Sequence, residues 1–333
     1  GRHRRARART RRVVTVSDNS AIEWTDATWN PVRGCTAISP GCAHCYAETF
    51  SERFRGVKDH PYEQGFDLRL VPAKVREPLS WTRPRRVFVN SMSDLFQDGV
   101  PETFILDIYS TMQEVHWHTY QVLTKRHERA RDVLRWVERK FADAGQAFPL
   151  PNVWQGVSVE NQEWADERIP VLMQTPAAKR FISAEPLLGP IDIVGQLVGP
   201  CARCGMSDLE CAALRSEAGG DDGACCPLCR HHNSLDWVIV GGESGAGARP
   251  FDVAWARDIV KQCRGAYVPV FVKQFGARPY DGAAAEPTGN FRTDPDTGRR
   301  QYQVKMNALG LRHKKGGDMG EWPDDLRVRE FPE

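Results

Sequence analysis

Short runs of β-branched and aromatic residues recur along this chain, each ending in a cluster of polar side chains. Val87-Phe88-Val89 runs into Asn90-Ser91-Met92-Ser93-Asp94, Gln121-Val122-Leu123 into Thr124-Lys125-Arg126, and the run from Val153 to Val157 into Ser158-Val159-Glu160-Asn161. Arg180-Phe181-Ile182 precedes Ser183-Ala184-Glu185-Pro186, the run from Trp237 to Val240 precedes Gly241-Gly242-Glu243-Ser244-Gly245, and the run from Val268 to Val272 precedes Lys273-Gln274. A weaker run, Ala21-Ile22-Glu23-Trp24-Thr25, comes before them all. Between these runs, apolar residues recur at helical spacing from Pro101 to Val115, Arg126 to Ala144, Glu163 to Met173 and Asp252 to Cys263.

Strands alternating with helices predict parallel βαβ units. Successive strands lie about 30 residues apart, room for one strand, one helix and two short loops, so seven units predict a parallel (β/α) barrel, complete or partial. An open doubly wound sheet is the structural alternative. A chain of 333 residues suits one such barrel with insertions. The expected organisation is a basic disordered extension over 1–16, a barrel over 17–280 interrupted by a cysteine-rich insertion at 197–234, and a C-terminal extension over 281–333 packing on the barrel.

In a barrel the loops that follow the strands share one face, so the polar tips converge on a common mouth. Glu185, Glu160 and Lys273 are the candidate catalytic residues there, with Asp94, Lys125 and Arg126 beside them. Taken singly, any of them also suits a helix cap or a turn.

The net charge is +2, but seven arginines fall within residues 1 to 12, which leaves the remainder near −5. That tail reads as a solvated extension with a capacity to touch nucleic acid, and Val13-Val14-Thr15-Val16 is expected to open the folded part. No run of about 18 apolar residues occurs, so no membrane partner is expected and the protein reads as soluble and cytoplasmic. Ten cysteines in such a chain point to reduced thiols and metal ligands rather than a disulfide framework. Cys263 stands alone on a helical pattern and is expected in the core.

Cys35, Cys42 and Cys45 form a C-x6-C-x2-C run right after the first strand. Three thiolates with a vacant fourth position describe a reactive metal site, whereas a structural site has all four positions filled by protein. His44 offers an alternative, completing a closed zinc site. A second cluster, Cys201, Cys204, Cys211, Cys225, Cys226 and Cys229, lies where the interval between strands lengthens. Cys201, Cys204, Cys226 and Cys229 are its candidate ligands, with Cys211 or Cys225 as alternatives. It reads as a zinc knuckle, since a small insertion without an apolar core needs a metal to fold, or as an auxiliary iron-sulfur cluster, since six thiols exceed what zinc needs.

The three-cysteine loop resembles the site of radical S-adenosylmethionine enzymes, whose usual spacing is C-x3-C-x2-C. The resemblance implies a [4Fe-4S] cluster on Cys35, Cys42 and Cys45, with the unique iron chelated by the amino and carboxylate groups of S-adenosylmethionine. Gly241-Gly242-Glu243 is similar to the short segment that binds the methionine amino group in those enzymes, although there it usually follows the second strand. Tyr46, Asn90, Ser91, Ser158, Gly241, Gly242 and Glu243 are the expected cofactor-binding residues. The segments Ile22 to Pro31, Gly156 to Asn161, Ser183 to Gly189, Val240 to Gly245 and Glu330-Phe331-Pro332 also resemble a phage-associated family named for its three-cysteine motif.

The function these readings imply is a radical S-adenosylmethionine enzyme that generates a 5'-deoxyadenosyl radical and modifies a nucleoside, nucleotide or nucleic-acid base. It would draw electrons from a reductase or flavodoxin-like protein, and an auxiliary cluster would supply sulfur or bind substrate. The alternative from another class is a zinc-stabilised nucleic-acid-binding protein without redox chemistry, which the acidic body counts against. A metal-dependent hydrolase is a third reading, weakened by the lack of a His-rich ligand set.

Overall fold

The computed structural model describes residues 20–197, 235–245, 247–293 and 300–332, with backbone alone over 283–293 and 300–308. The basic segment 1–16 and the cysteines at 201, 204, 211, 225, 226 and 229 lie outside the described residues.

Seven strands make the main sheet: β1 (Ala27–Trp29), β2 (Arg86–Val89), β3 (Thr119–Thr124), β4 (Val153–Ser158), β5 (Lys179–Ala184), β6 (Trp237–Gly241) and β7 (Val270–Gln274). Every neighbouring pair is parallel and the spatial order follows the chain order. A doubly wound sheet reverses its strand order at a switch point, so this sequential winding is that of a barrel. The two end strands do not pair with each other, which makes the barrel partial.

The first strand lies later in the chain than its hydrophobic pattern suggests. Residues Ala21 to Thr25 turn instead of extending, with Thr25 N donating to Ile22 O at 3.2 Å. Trp24 is thereby free to enter the barrel floor, and the fully buried Ala27 and Trp29 take the strand positions.

Helix α1 (Tyr46–Glu52) follows the cysteine loop at the mouth, and α2 (Glu102–Glu114), α3 (His127–Asp143), α4 (Gln162–Met173) and α5 (Val253–Gly265) cover the outer face. The buried positions Ala130, Val133, Leu134, Val137 and Phe141 repeat every three or four residues and give α3 its core stripe. Asn161 caps α4 by accepting from Trp164 N, and Asp252 caps α5 by accepting from Ala254 N. Cys263 is fully buried on α5, where burial pushes its thiol up to about 12.

Every second side chain along a strand points inward, so the inward-facing residues stack in levels. Trp24, Phe88, Trp154, Phe181, Trp237 and Phe271 plug the floor. Trp237 is at its centre, with ring centroids 5.8 Å from Trp154, 5.7 Å from Phe181 and 6.1 Å from Phe271. The polar tips stand one level higher, so the floor is apolar and the mouth is polar.

The chain after β7 returns along the free edge of that strand. Val272 N donates to Val328 O at 2.9 Å and Glu330 N to Val270 O at 3.0 Å. This satisfies backbone groups that an open edge would expose. Phe331 then closes the floor against Trp237, at 5.4 Å between centroids. No helix among the described residues is long and apolar enough to cross a membrane.

Candidate functional site

The loop from Gly34 to Cys45 crosses the strand ends and is pinned along its length. Gly34 has φ +79°, and a Cβ there would lie 2.2 Å from the Asp67 carbonyl oxygen, so the turn into Cys35 needs glycine. Cys35 N donates to Phe66 O at 3.1 Å. Pro40–Cys42 makes a single 3-10 turn, and Cys45 immediately precedes α1. Cys35, Cys42 and Cys45 are free thiols, partly exposed, and all three line one cavity of about 390 Å³.

Tyr46, Asn90, Ser91, Ser158, Glu185, Gly242, Glu243 and Lys273 line the same cavity, at the C-terminal ends of the strands. Glu160 and Gly241 stand behind its wall. Asn90 is the most unusual of these residues. It is 2% exposed, its backbone has φ +60°, and neither its Nδ2 nor its Oδ1 has a hydrogen-bond partner. A buried amide with both ends unpaired is costly unless a ligand completes it. Nearby, the Tyr46 hydroxyl donates to the Ser91 carbonyl, and Ser91 Oγ pairs with Asn30 at 3.3 Å.

Glu185 and Lys273 form an ion pair within the cavity, Nζ to Oε1 at 2.6 Å. Glycine at 241 makes room for this carboxylate, since a Cβ would come within 3.1 Å of Glu185 Cδ. A Cβ on Gly242 would lie 2.3 Å from the Phe275 carbonyl oxygen, so the loop after β6 packs directly on the loop after β7.

Glu160 is fully buried beneath the cysteine loop. Its Oε1 accepts from Ser39 Oγ at 2.7 Å and lies 3.2 Å from Lys125 Nζ, and its Oε2 accepts from Arg168 Nη1 at 3.0 Å. Gly41 leaves the space for it, because a Cβ there would fall 2.4 Å from Oε1.

Glu243 lies on the far side of the loop with both oxygens engaged. Arg249 donates from Nη2 to Oε1 at 2.6 Å and from Nε to Oε2 at 3.0 Å, and His44 Nδ1 is 3.0 Å from Oε2. Burial opposes ionisation, but the Arg249 and His44 hydrogen bonds outweigh it and hold the carboxyl down at about 2. Arg249 Nη2 also donates to Pro40 O at 2.9 Å. His44 thus turns toward the loop after β6, and its ring packs on Gly247, with Nε2 3.7 Å from where a Cβ would be. Arg249 and Arg168 had no signal in the strand pattern, since one lies inside a loop and the other within a helix.

The donor set suits an iron-sulfur cluster. In such a cluster each thiolate meets its own iron, so sulfurs from separated loop positions need not converge on one point as around a single zinc ion. Among the described residues no three His, Cys, Asp or Glu side chains form a single-ion chelate. Burial pushes the Cys35 thiol up to about 11, and a bound metal would deprotonate it outright.

Among solved structures, the chain is similar to spore photoproduct lyase complexed with dinucleoside spore photoproduct. The identity is 12% and the TM-score 0.34, covering 89% of this chain and 72% of that one. Two point mutants of the same lyase match at TM-scores of 0.34 and 0.33 with the same identity and coverage. No curated protein matches the sequence. Residues 19–314 match the family described as protein of unknown function DUF5131, and the chain belongs to that family.

Proposed function

We propose that the protein is a radical S-adenosylmethionine enzyme whose [4Fe-4S] cluster is held by Cys35, Cys42 and Cys45. The observation that carries this reading is one cavity, at the active end of a partial barrel, that holds three free thiols together with the unpaired buried amide of Asn90. When bound, the cluster supplies the electron that cleaves S-adenosylmethionine to methionine and a 5'-deoxyadenosyl radical, which takes hydrogen from substrate.

The chain's own residues bind and orient. Asn90 offers Oδ1 to an ammonium and Nδ2 to a carboxylate, matching the two ends of an amino acid. Ser158 and Ser91 add hydroxyls to the same cavity, and the Gly242 backbone forms part of its lining. The Glu185–Lys273 pair is the candidate for handling a substrate proton, since it is largely withdrawn from water and faces the cavity. Glu160 and Glu243 position the cysteine loop from its two sides. Tyr46, 57% exposed at the lip, offers an aromatic face to a planar substrate. We extend the reading to a nucleoside, nucleotide or nucleic-acid base as substrate class, and to a reductase or flavodoxin-like electron donor.

Anaerobic reconstitution with iron and sulfide, followed by absorbance and spin-resonance spectra with and without S-adenosylmethionine, tests the reading. The expected result is a reducible cluster whose spectrum changes on cofactor addition, and 5'-deoxyadenosine formation that Cys42→Ala abolishes. A colourless protein holding only zinc would overturn it and favour the nucleic-acid-binding alternative.

A further inference from the structure

Arg126, just past the tip of β3, reaches across to the cysteine loop with a side chain only 8% exposed. Its Nη1 donates to Cys35 Sγ at 3.4 Å and to Asp94 Oδ2 at 3.2 Å, while Nη2 donates to Thr36 O at 3.0 Å and Thr36 Oγ1 at 2.8 Å. Asp94 is itself fixed by Phe96 N at 2.9 Å, Thr124 Oγ1 at 2.8 Å and Lys125 N at 3.0 Å. A guanidinium is therefore aimed at one particular sulfur by a carboxylate that three other donors hold still.

We propose that Arg126 sets the reduction potential of the cluster bound through Cys35, with Asp94 as the residue that orients it. This rests on the cluster reading above. Reduction adds one negative charge to the cluster, and a nearby cation with an N–H donor on a ligand sulfur stabilises the reduced form. Withdrawal from water strengthens that interaction, and an arginine keeps its charge at any working pH. Asp94 moderates the effect, because its carboxylate shares Nη1 with Cys35 Sγ.

The test is a reductive titration of anaerobically loaded wild type, Arg126→Gln, Arg126→Lys and Asp94→Asn, following the reduced cluster by spin resonance. Arg126→Gln is expected to hold about tenfold less reduced cluster at a fixed poise, a downward shift of about 59 mV for a one-electron couple. Arg126→Lys keeps the charge without the fork and falls between. Asp94→Asn shifts the potential upward. Opposite shifts from two changes that both weaken the same loop anchor are not what simple loosening produces. Unchanged potentials, or shifts in one direction, overturn the proposal. If wild type loads a cluster and both Arg126→Gln and Asp94→Asn do not, Arg126 only clamps the loop, and the proposal fails while the cluster reading stands. A wild type without iron would end both.

Discussion

Glu160 Oε1 accepts a hydrogen bond from Ser39 Oγ at 2.7 Å, so a carboxylate just past the fourth strand holds the loop that carries the three cysteines. The same carboxylate pairs with Arg168, and both side chains are fully buried. Removing one partner of a buried ion pair leaves the other charge uncompensated, at a cost of about 3–5 kcal/mol. Glu160→Ala should therefore lower unfolding free energy by that amount in denaturant titrations. Ser39→Ala, which loses one hydrogen bond, should cost only about 1 kcal/mol. A Glu160→Ala protein as stable as the wild type would contradict this placement.

The second anchor of the loop responds to acid. Glu243 titrates lower folded than unfolded, at about 2 against an ordinary 4.5. A depressed carboxyl contributes stability that is fully present above its unfolded value and disappears as pH falls through the folded one. The groups facing it are Arg249 and His44. Melting curves of wild type and Glu243→Gln should thus differ most above about pH 4.5 and converge toward pH 2. A difference that stayed constant across this window would refute the clasp.

The short β-branched and aromatic runs ending in polar residues made six of the seven sheet strands legible, because a strand buried on both faces must be largely apolar while its tip is free to be polar. Asn90, Ser158, Glu185 and Lys273 could be placed at one mouth for the same reason. Trp24 misdirected the first strand, since an aromatic residue that plugs the barrel floor has the same hydropathy as one within a strand. The locations of Glu160 and Glu243 depended on contacts outside the strand pattern. Gly41, distant in sequence, admits one beneath the cysteine loop, and Arg249, six residues on within an irregular loop, draws the other aside, so neither contact leaves a periodic pattern.

Glycine at 242 is a packing requirement as much as a ligand-binding feature. A Cβ would lie 2.3 Å from the Phe275 carbonyl oxygen, and backbone cannot move aside as a side-chain tip can. Gly242→Ala should therefore destabilise by about 1–3 kcal/mol, the usual cost of overpacking. Gly195 is an internal control, being exposed within a single helical turn, where a Cβ meets nothing within 4 Å. Gly195→Ala should be neutral or gain up to about 1 kcal/mol. Equal melting temperatures for the two variants would show that the approach of the two loops is not tight.

Asn90 separates stability from ligand binding. Its backbone lies at φ +60°, where glycine is at ease, and its amide is buried with no partner at either end. Asn90→Gly removes two unpaired polar atoms without straining the backbone, so the metal-free protein should melt within about 1 kcal/mol of the wild type or above it. Asn90→Ala keeps a Cβ at positive φ and should be less stable than Asn90→Gly by about 1–2 kcal/mol. Both should bind S-adenosylmethionine about tenfold more weakly by calorimetry on the loaded protein, since two hydrogen bonds are lost and tenfold corresponds to about 1.4 kcal/mol. A clearly destabilised Asn90→Gly with unchanged affinity would mean that the amide serves the fold, and the unpaired atoms would then need a structural explanation.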